Sequence, residues 1–188
     1  MKYLSEDIIK ELADLTEEQI AYLHREVLTL SDEDLSWKPG KYRWNILEVV
    51  EHLNRFGEFY YPKIGSAISY PKSIRREDHY KSSLLGEFAF KRTRPVDGVV
   101  PYKAKAMRST TPFLRVLDRS VIEDHLGQQR KFLNLLGEAK DVNLSKNYIP
   151  TMLGKWVRLN LGDSLRILGY HTERHYIQID HLVHQRID

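Results

Sequence analysis

The 188-residue chain contains no cysteine. That absence excludes disulfides, thiolate metal sites and a cysteine nucleophile. A metal would have to be held by nitrogen and oxygen, and eight histidines supply the nitrogen. Long apolar runs are also missing: no stretch approaches the roughly 20 apolar residues that a membrane span requires. The opening segment, MKYLSEDIIKELADL, is acidic and amphipathic, unlike the basic start and apolar run of a secretory signal. The expectation is a cytoplasmic protein with no membrane partner. Charge of one sign is scarce too. Twenty-nine Lys and Arg against 26 Asp and Glu leave a formal net charge of +3, too small an excess to argue for nucleic acid. What remains is an ordinary globular composition, in a length that suits one domain over residues 1–188 with its own hydrophobic core.

Helical periodicity dominates that core. From about Ser5 to Leu30, the apolar residues Ile9, Leu12, Ile20, Leu23, Val27 and Leu30 share one face, which predicts one long first helix. Thr16 to Gln19 (TEEQ) has the form of a capping box inside it. SDEDLSWKPGKYRWN reads as a connection with a turn at Pro39-Gly40. A second helix follows from about Ile46 with Val49, Val50, Leu53, Phe56 and Tyr60 inward, and Pro62 is expected to kink or end it. Between Ser69 and Asp118, Pro71, Pro95, Pro101 and Pro112 break the chain into irregular pieces. That stretch is too long for a simple connection, which makes it a candidate lid or pocket wall. Ser120 to Glu123 has capping-box form and opens a third helix, which buries Ile122, Leu126, Leu133 and Leu136 and ends near Gly137. DVNLSKNYIPTMLGKWVRL reads as a second connection. Asn160 and Asp163 suit the first turn of a fourth helix, where side-chain oxygens accept unpaired backbone N–H groups. Leu161, Leu165, Leu168, Ile179 and Leu182 mark its buried stripe. The fold class predicted is all-α, a four-helix bundle with a long irregular connection between helices two and three.

Polar residues on the apolar stripes are the anomaly. His171 and His175 stand four apart on helix four, one turn apart on one face. His171 lies three after Leu168 and His175 four before Ile179, so both fall on the buried stripe. Buried imidazoles need partners, and one divalent metal ion would serve both. His52 repeats the pattern on helix two, three after Val49 and four before Phe56. Three histidines on one ion would leave coordination positions open, as catalytic sites do. His125, three after Ile122, is a further candidate as a fourth ligand or as a group supporting the others. His24, His79, His181 and His184 read as solvated or locally bonded.

The segment KYRWNILEVVEHL resembles the W-x-x-x-E-h-h-x-H-L signature of the DinB/YfiT-like superfamily, with Trp44, Glu48, His52 and Leu53 at its marked positions. GDSLRILGYHTERHYIQI resembles the last-helix signature H-x-x-R-H-x-x-Q of the same superfamily, matched by His171, Arg174, His175 and Gln178. LSWKPGKYRW before helix two and LGKWVRLNLGDSL before helix four also fit. The resemblance implies an up-down-down-up bundle, a three-histidine metal site and a homodimer. It also implies relatives that join low-molecular-weight thiols such as bacillithiol or mycothiol to electrophiles, mycothiol-dependent isomerases, and members described only as metal-dependent hydrolases.

A divalent ion on three imidazoles can acidify a bound water toward pKa 7 or so for hydrolysis, or hold a substrate thiol as its thiolate. With no cysteine in the chain, such a thiol would arrive with a small-molecule substrate. Imidazole does not name the metal, and zinc, nickel, iron, manganese or copper would fit. The leading expectation is a metal-dependent enzyme transferring a low-molecular-weight thiol to an electrophile. The rivals are a metal-dependent hydrolase, a metal-binding stress protein without turnover, and a bundle working through dimerisation. Glu48, four before His52 and so on its face, is a candidate to orient a ligand histidine, the alternative being an ordinary surface or internally bonded glutamate. Arg174 could pair with an acidic group or face solvent, and Gln178 could support the ligands from behind or be a core-facing polar residue. Glu51 and Glu173 neighbour the proposed ligands, but adjacent helical residues point about 100° apart. Arg92, Arg94, Lys103, Lys105 and Arg108 could attract an anionic substrate group or form a solvated basic loop.

Overall fold

The structure, a computed structural model, describes residues 1–73, 76–102, 105–112 and 116–187. A short strand β1 (Lys2–Leu4) leads directly into α1 (Ser5–Tyr22). The helical path continues through a π-wound turn, Leu23–Val27, closed by the Leu28 N–H on the Leu23 carbonyl at 2.9 Å. The expected first helix is therefore continuous in course but changes winding. Its internal TEEQ segment caps nothing, because the buried Thr16 hydroxyl donates back to the Leu12 carbonyl at 2.7 Å.

The connection after it holds a short helix α2 (Asp32–Ser36), capped by Ser31. Next comes α3 (Ile46–Ser69), opened by a full capping box. Asn45 accepts from the Glu48 N–H at 2.8 Å, and the Glu48 carboxylate accepts from the Asn45 N–H at 3.0 Å. Pro62 does not end α3, which runs on for seven more residues to Ser69. Among the described residues between Ser69 and Asp118, regular elements occur despite the prolines. They include β2 (His79–Lys81), paired antiparallel with β1, the ten-residue α4 (Leu84–Thr93), and a 3-10 turn at Arg108–Thr110. Ser83 starts α4 by accepting from the Gly86 N–H at 2.9 Å.

Helix α5 (Ser120–Ala139) begins where expected but not by the expected device. The Asp118 carboxylate accepts from the Ser120 N–H at 2.9 Å, and no Ser120–Glu123 box forms. The second connection is a β-hairpin, β3 (Tyr148–Thr151) against β4 (Gly154–Asn160). Helix α6 (Leu161–Ile187) follows at once, and Asn160 accepts from the Asp163 N–H at 2.8 Å, as its position in the sequence predicts. Among the described residues the chain is thus mostly helical, with two small two-stranded sheets that the all-α expectation did not include. Among the described residues, no helix is long and apolar enough to cross a membrane.

Helices α1 and α3 each pack against both α5 and α6. One buried cluster gathers Ile9, Leu12, Ile64, Leu136, Leu161 and Leu165; the other gathers Leu23, Val27, Val49, Val50, Ile122 and Ile179. On α3, His52 is flanked by Val49 of the second cluster and by Phe56, which packs against the first. At the start of α6, the buried Asp163 ties β2 and α4 to the bundle. Its carboxylate accepts from the Tyr80 and Ser82 hydroxyls and from the Ser83 N–H at 3.0 Å and hydroxyl at 2.7 Å. Arg166, one turn on, is buried between the rings of Tyr3 and Phe90 and reaches Glu87 at 3.4 Å. These contacts fix where the segment between α3 and α5 crosses the bundle, and so where it meets the histidines.

Candidate metal centre

His52 from α3 and His171 and His175 from α6 converge. One ring nitrogen from each lies within 4.8 Å of the others, and the ring centroids are 4.7–5.3 Å apart. Nitrogens bound to a single ion at about 2.0–2.1 Å can stand at most about 4 Å apart, so this span is within a small side-chain adjustment of a shared ligand set. His52 is buried, while His171 and His175 keep partial exposure. Phe56 stacks on His171 at 4.0 Å between centroids, and Trp44 packs against His52 at 5.2 Å.

Hydrogen bonding fixes two of the three tautomers. The Thr110 carbonyl can only accept, so His52 donates to it from Nδ1 at 2.8 Å. His175 donates from Nδ1 to Gln178 Oε1 at 3.0 Å. Both rings then carry their lone pair on Nε2, the arrangement in which a histidine ligand is held from behind. His171 Nδ1 is buried with no hydrogen-bond partner. An orphaned imidazole nitrogen beside two oriented ones fits a divalent cation better than it fits a closed hydrogen-bond network.

Electrostatics keep all three rings neutral. Burial lowers the pKa of His52, against the opposing bond to Thr110 and with help from the nearby Arg174 charge. His171 is held well below the ordinary histidine value, first by burial and then by His175, His52 and Arg174. His175 is pushed down to about 3 by burial and then by His52, with Gln178 opposing. Neutral imidazoles are the form that binds metal.

A cavity of about 830 Å³ adjoins the cluster, with His175, Gln178, Arg174 and Trp44 on its wall. Gly98, Val99 and Val100 also line it, so part of the proline-broken segment is a pocket wall. That wall turns tightly between Val96 and Val99, where Asp97 at φ 49° and Gly98 at φ 72° take the left-handed conformation of a two-residue turn.

The supporting residues fall out unevenly. Gln178 accepts a hydrogen bond from His175 Nδ1. Glu48 does not orient a histidine: its carboxylate serves the α3 cap and a salt bridge to Lys38 at 2.7 Å. Thr110 holds His52 instead, through a main-chain carbonyl that leaves no side-chain signature in the sequence. Arg174 pairs with no acidic group among the described residues; it donates to the carbonyls of Arg92 and Tyr102. His125 is buried in the bundle, where its Nδ1 meets Asn54 Oδ1 at 3.0 Å, and it is not part of the three-histidine group. Among the basic residues between α3 and α5, Arg92 lies over Phe88 and Tyr102, and Arg94 over Phe90 and Tyr170. Neither these two nor Lys105 nor Arg108 lines the cavity, and Lys103 lies outside the described residues. His24, His79, His181 and His184 are exposed, and His181 reaches the cavity rim.

The fold and the cluster together define a helical protein whose long helices bring three imidazoles together, one of them, His175, on the wall of a pocket. The DinB superfamily profile matches residues 15–179, and the chain belongs to that superfamily. No significant match was found among curated proteins or among solved structures.

Proposed function

We propose that this chain is a metal-dependent enzyme that acts on a small molecule, with His52, His171 and His175 as the ligands of one divalent ion. The observation that carries the reading is the pair of fixed tautomers, His52 on the Thr110 carbonyl and His175 on Gln178, beside an unpartnered His171 nitrogen. A divalent ion held there supplies Lewis acidity that favours the deprotonated form of a thiol or of water.

Transfer of a low-molecular-weight thiol to an electrophile is the preferred reaction. A free thiol near pKa 8.5 needs far less help to ionise than water at about 15.7. Hydrolysis would gain most from a carboxylate base, and among the described residues no Asp or Glu lines the cavity. The chain's own part is to hold the ligand set, to shield it with Phe56 and Trp44, and to position the substrate in the pocket. We read the directions of the four long helices as up-down-down-up. Gln19 and Tyr22 of α1 meet Glu173 and Asp180 of α6 in the same order, whereas His52 and Phe56 of α3 meet His175 and His171 in reverse. A homodimer is part of the same proposal and is checked by the mass of the protein in solution.

The test is elemental analysis of protein purified without added metal, followed by thiol conjugation to a model electrophile. Near one equivalent of a divalent metal, and faster conjugation by loaded than by stripped protein, are expected. Equal rates for loaded and stripped protein across several thiols would count against transfer; absence of any bound metal would remove the site.

A further inference from the structure

The cavity beside His175 has a wall chemistry that the three histidines do not explain. Arg174 and Arg43 line it, and no Asp or Glu does among the described residues. Several arginines elsewhere in the chain sit against carboxylates, among them Arg55 with Glu51, Arg119 with Asp32, Arg166 with Glu87 and Arg186 with Asp34, whereas Arg92 and Arg94 lie over aromatic rings. Arg174 finds no carboxylate among the described residues. Two of its N–H groups go to the carbonyls of Arg92 at 3.4 Å and Tyr102 at 2.5 Å, neither of which neutralises it. A guanidinium has five N–H donors in a rigid fork suited to a carboxylate or phosphate, so donors remain. A half-buried cation without a counter-charge is costly unless a ligand supplies one.

We propose that the small molecule taken into this cavity is an anion, its carboxylate or phosphate oxygens received by Arg174, with Arg43 as a second cation on the wall. This rests on the cavity serving the histidine site. Arg174 and His175 are consecutive and both line the cavity, so a molecule held by its anionic end at Arg174 lies with the remainder near His175. The recognition element is charge on a compact molecule. Net charge over the chain is only +3, so the attraction is local to this wall.

The experiment is calorimetric titration of the full chain, stripped of metal and loaded with zinc, with four probes. Succinate and glycerol phosphate carry the anionic group without a thiol. Mercaptosuccinate carries both, and thioglycerol carries a thiol without charge. At least one of the two thiol-free anions should bind the metal-stripped protein and weaken as salt is raised. Mercaptosuccinate should bind the loaded protein more tightly than thioglycerol. Arg174→Gln should reduce anion affinity at least about tenfold, the scale of a lost charge-assisted bond. Arg174→Lys should keep part of it, and Arg43→Gln should weaken it to a smaller extent. Failure of both thiol-free anions to bind, or unchanged affinity in Arg174→Gln with unchanged circular dichroism, overturns the proposal. If Arg174→Gln does not fold, the Arg43→Gln and salt series decide it: anion binding indifferent to both overturns it. Arg174-dependent anion binding by a protein that holds no metal would leave this inference standing while removing the metal reading.

Discussion

Gln178 stands one turn along α6 from His175 and accepts the proton of its Nδ1 at 3.0 Å, turning the Nε2 lone pair away from the amide. The bond is local to one helix, so it sets the ring without depending on how the bundle packs. Replacing Gln178 with Leu removes that acceptor and frees both tautomer and rotation. Loss of such an outer partner typically costs about 10–100-fold in metal affinity. Gln178→Leu should therefore bind zinc roughly 10–100-fold more weakly in a competition titration with a chelator, while its melting temperature barely moves. An unchanged affinity would mean that the amide does not orient the ring.

The ligands themselves should behave differently from their support. His52→Ala and His175→Ala each remove one of three donors and should lose most bound metal on elemental analysis. Helicity should survive, because α3 and α6 keep their other buried side chains, such as Val49, Leu53 and Ile64 on α3 and Leu165, Leu168 and Ile179 on α6. Removal of buried His52 also frees the Thr110 carbonyl, so this variant should be the less stable of the two. Full metal occupancy in the double variant would sink the assignment of the ligands.

How much of this could be read beforehand depends on what each feature leaves in a linear pattern. The stripe of Leu161, Leu165, Leu168, Ile179 and Leu182 is a 3.6-residue period, and it places His171 and His175 on the buried face without any structure. His52 belongs to another helix, so spacing could not join it to that pair; the family resemblance did. Helix α4 was hidden among prolines because its apolar pattern points the wrong way: Leu84, Leu85 and Phe88 are exposed while Gly86 and Phe90 are buried. The β3–β4 hairpin was obscured by Pro150 within its first strand. Thr110 could not be found at all, since its contribution is a carbonyl that every residue has. Between the two roles open to Glu48, the sequence itself holds the deciding feature: Asn45 three residues before it makes a capping box with it.

Gly86 and Asp163 give a test of the contact between α4 and α6. A methyl group added at Gly86 would overlap the Asp163 carboxylate, whose oxygens already take bonds from Tyr80, Ser82 and Ser83. Overpacking a tight site costs about 1–3 kcal/mol and more where a polar network is displaced. Gly86→Ala should thus destabilise by about 3 kcal/mol in urea unfolding. Gly127 on α5 is the control, because nothing lies within 4 Å of an added methyl. There the gain in helix propensity should stabilise by about 0.5–1 kcal/mol. Equal effects at the two glycines would contradict the close approach at Gly86.

His125 should give the fold an acid-sensitive arm that does not involve the metal. Burial pushes its pKa down to about 3; Nδ1 faces Asn54, and Nε2 is buried with no partner. The unfolded chain takes up the proton near pH 6.5, whereas the folded chain refuses it until about pH 3. Below pH 6.5 the unfolded state therefore binds more protons, and stability falls as pH falls through that window. With one unit worth about 1.4 kcal/mol, this single group should cost on the order of 1.5–2 kcal/mol between pH 6.5 and pH 5. His125→Gln lacks the titration and should lose that much less over the same interval, whatever its stability at neutral pH. Urea midpoints of the parent and His125→Gln, both stripped of metal, measure the difference. Parallel pH profiles for the two proteins would mean that His125 accepts its proton in the folded state as readily as in the unfolded one.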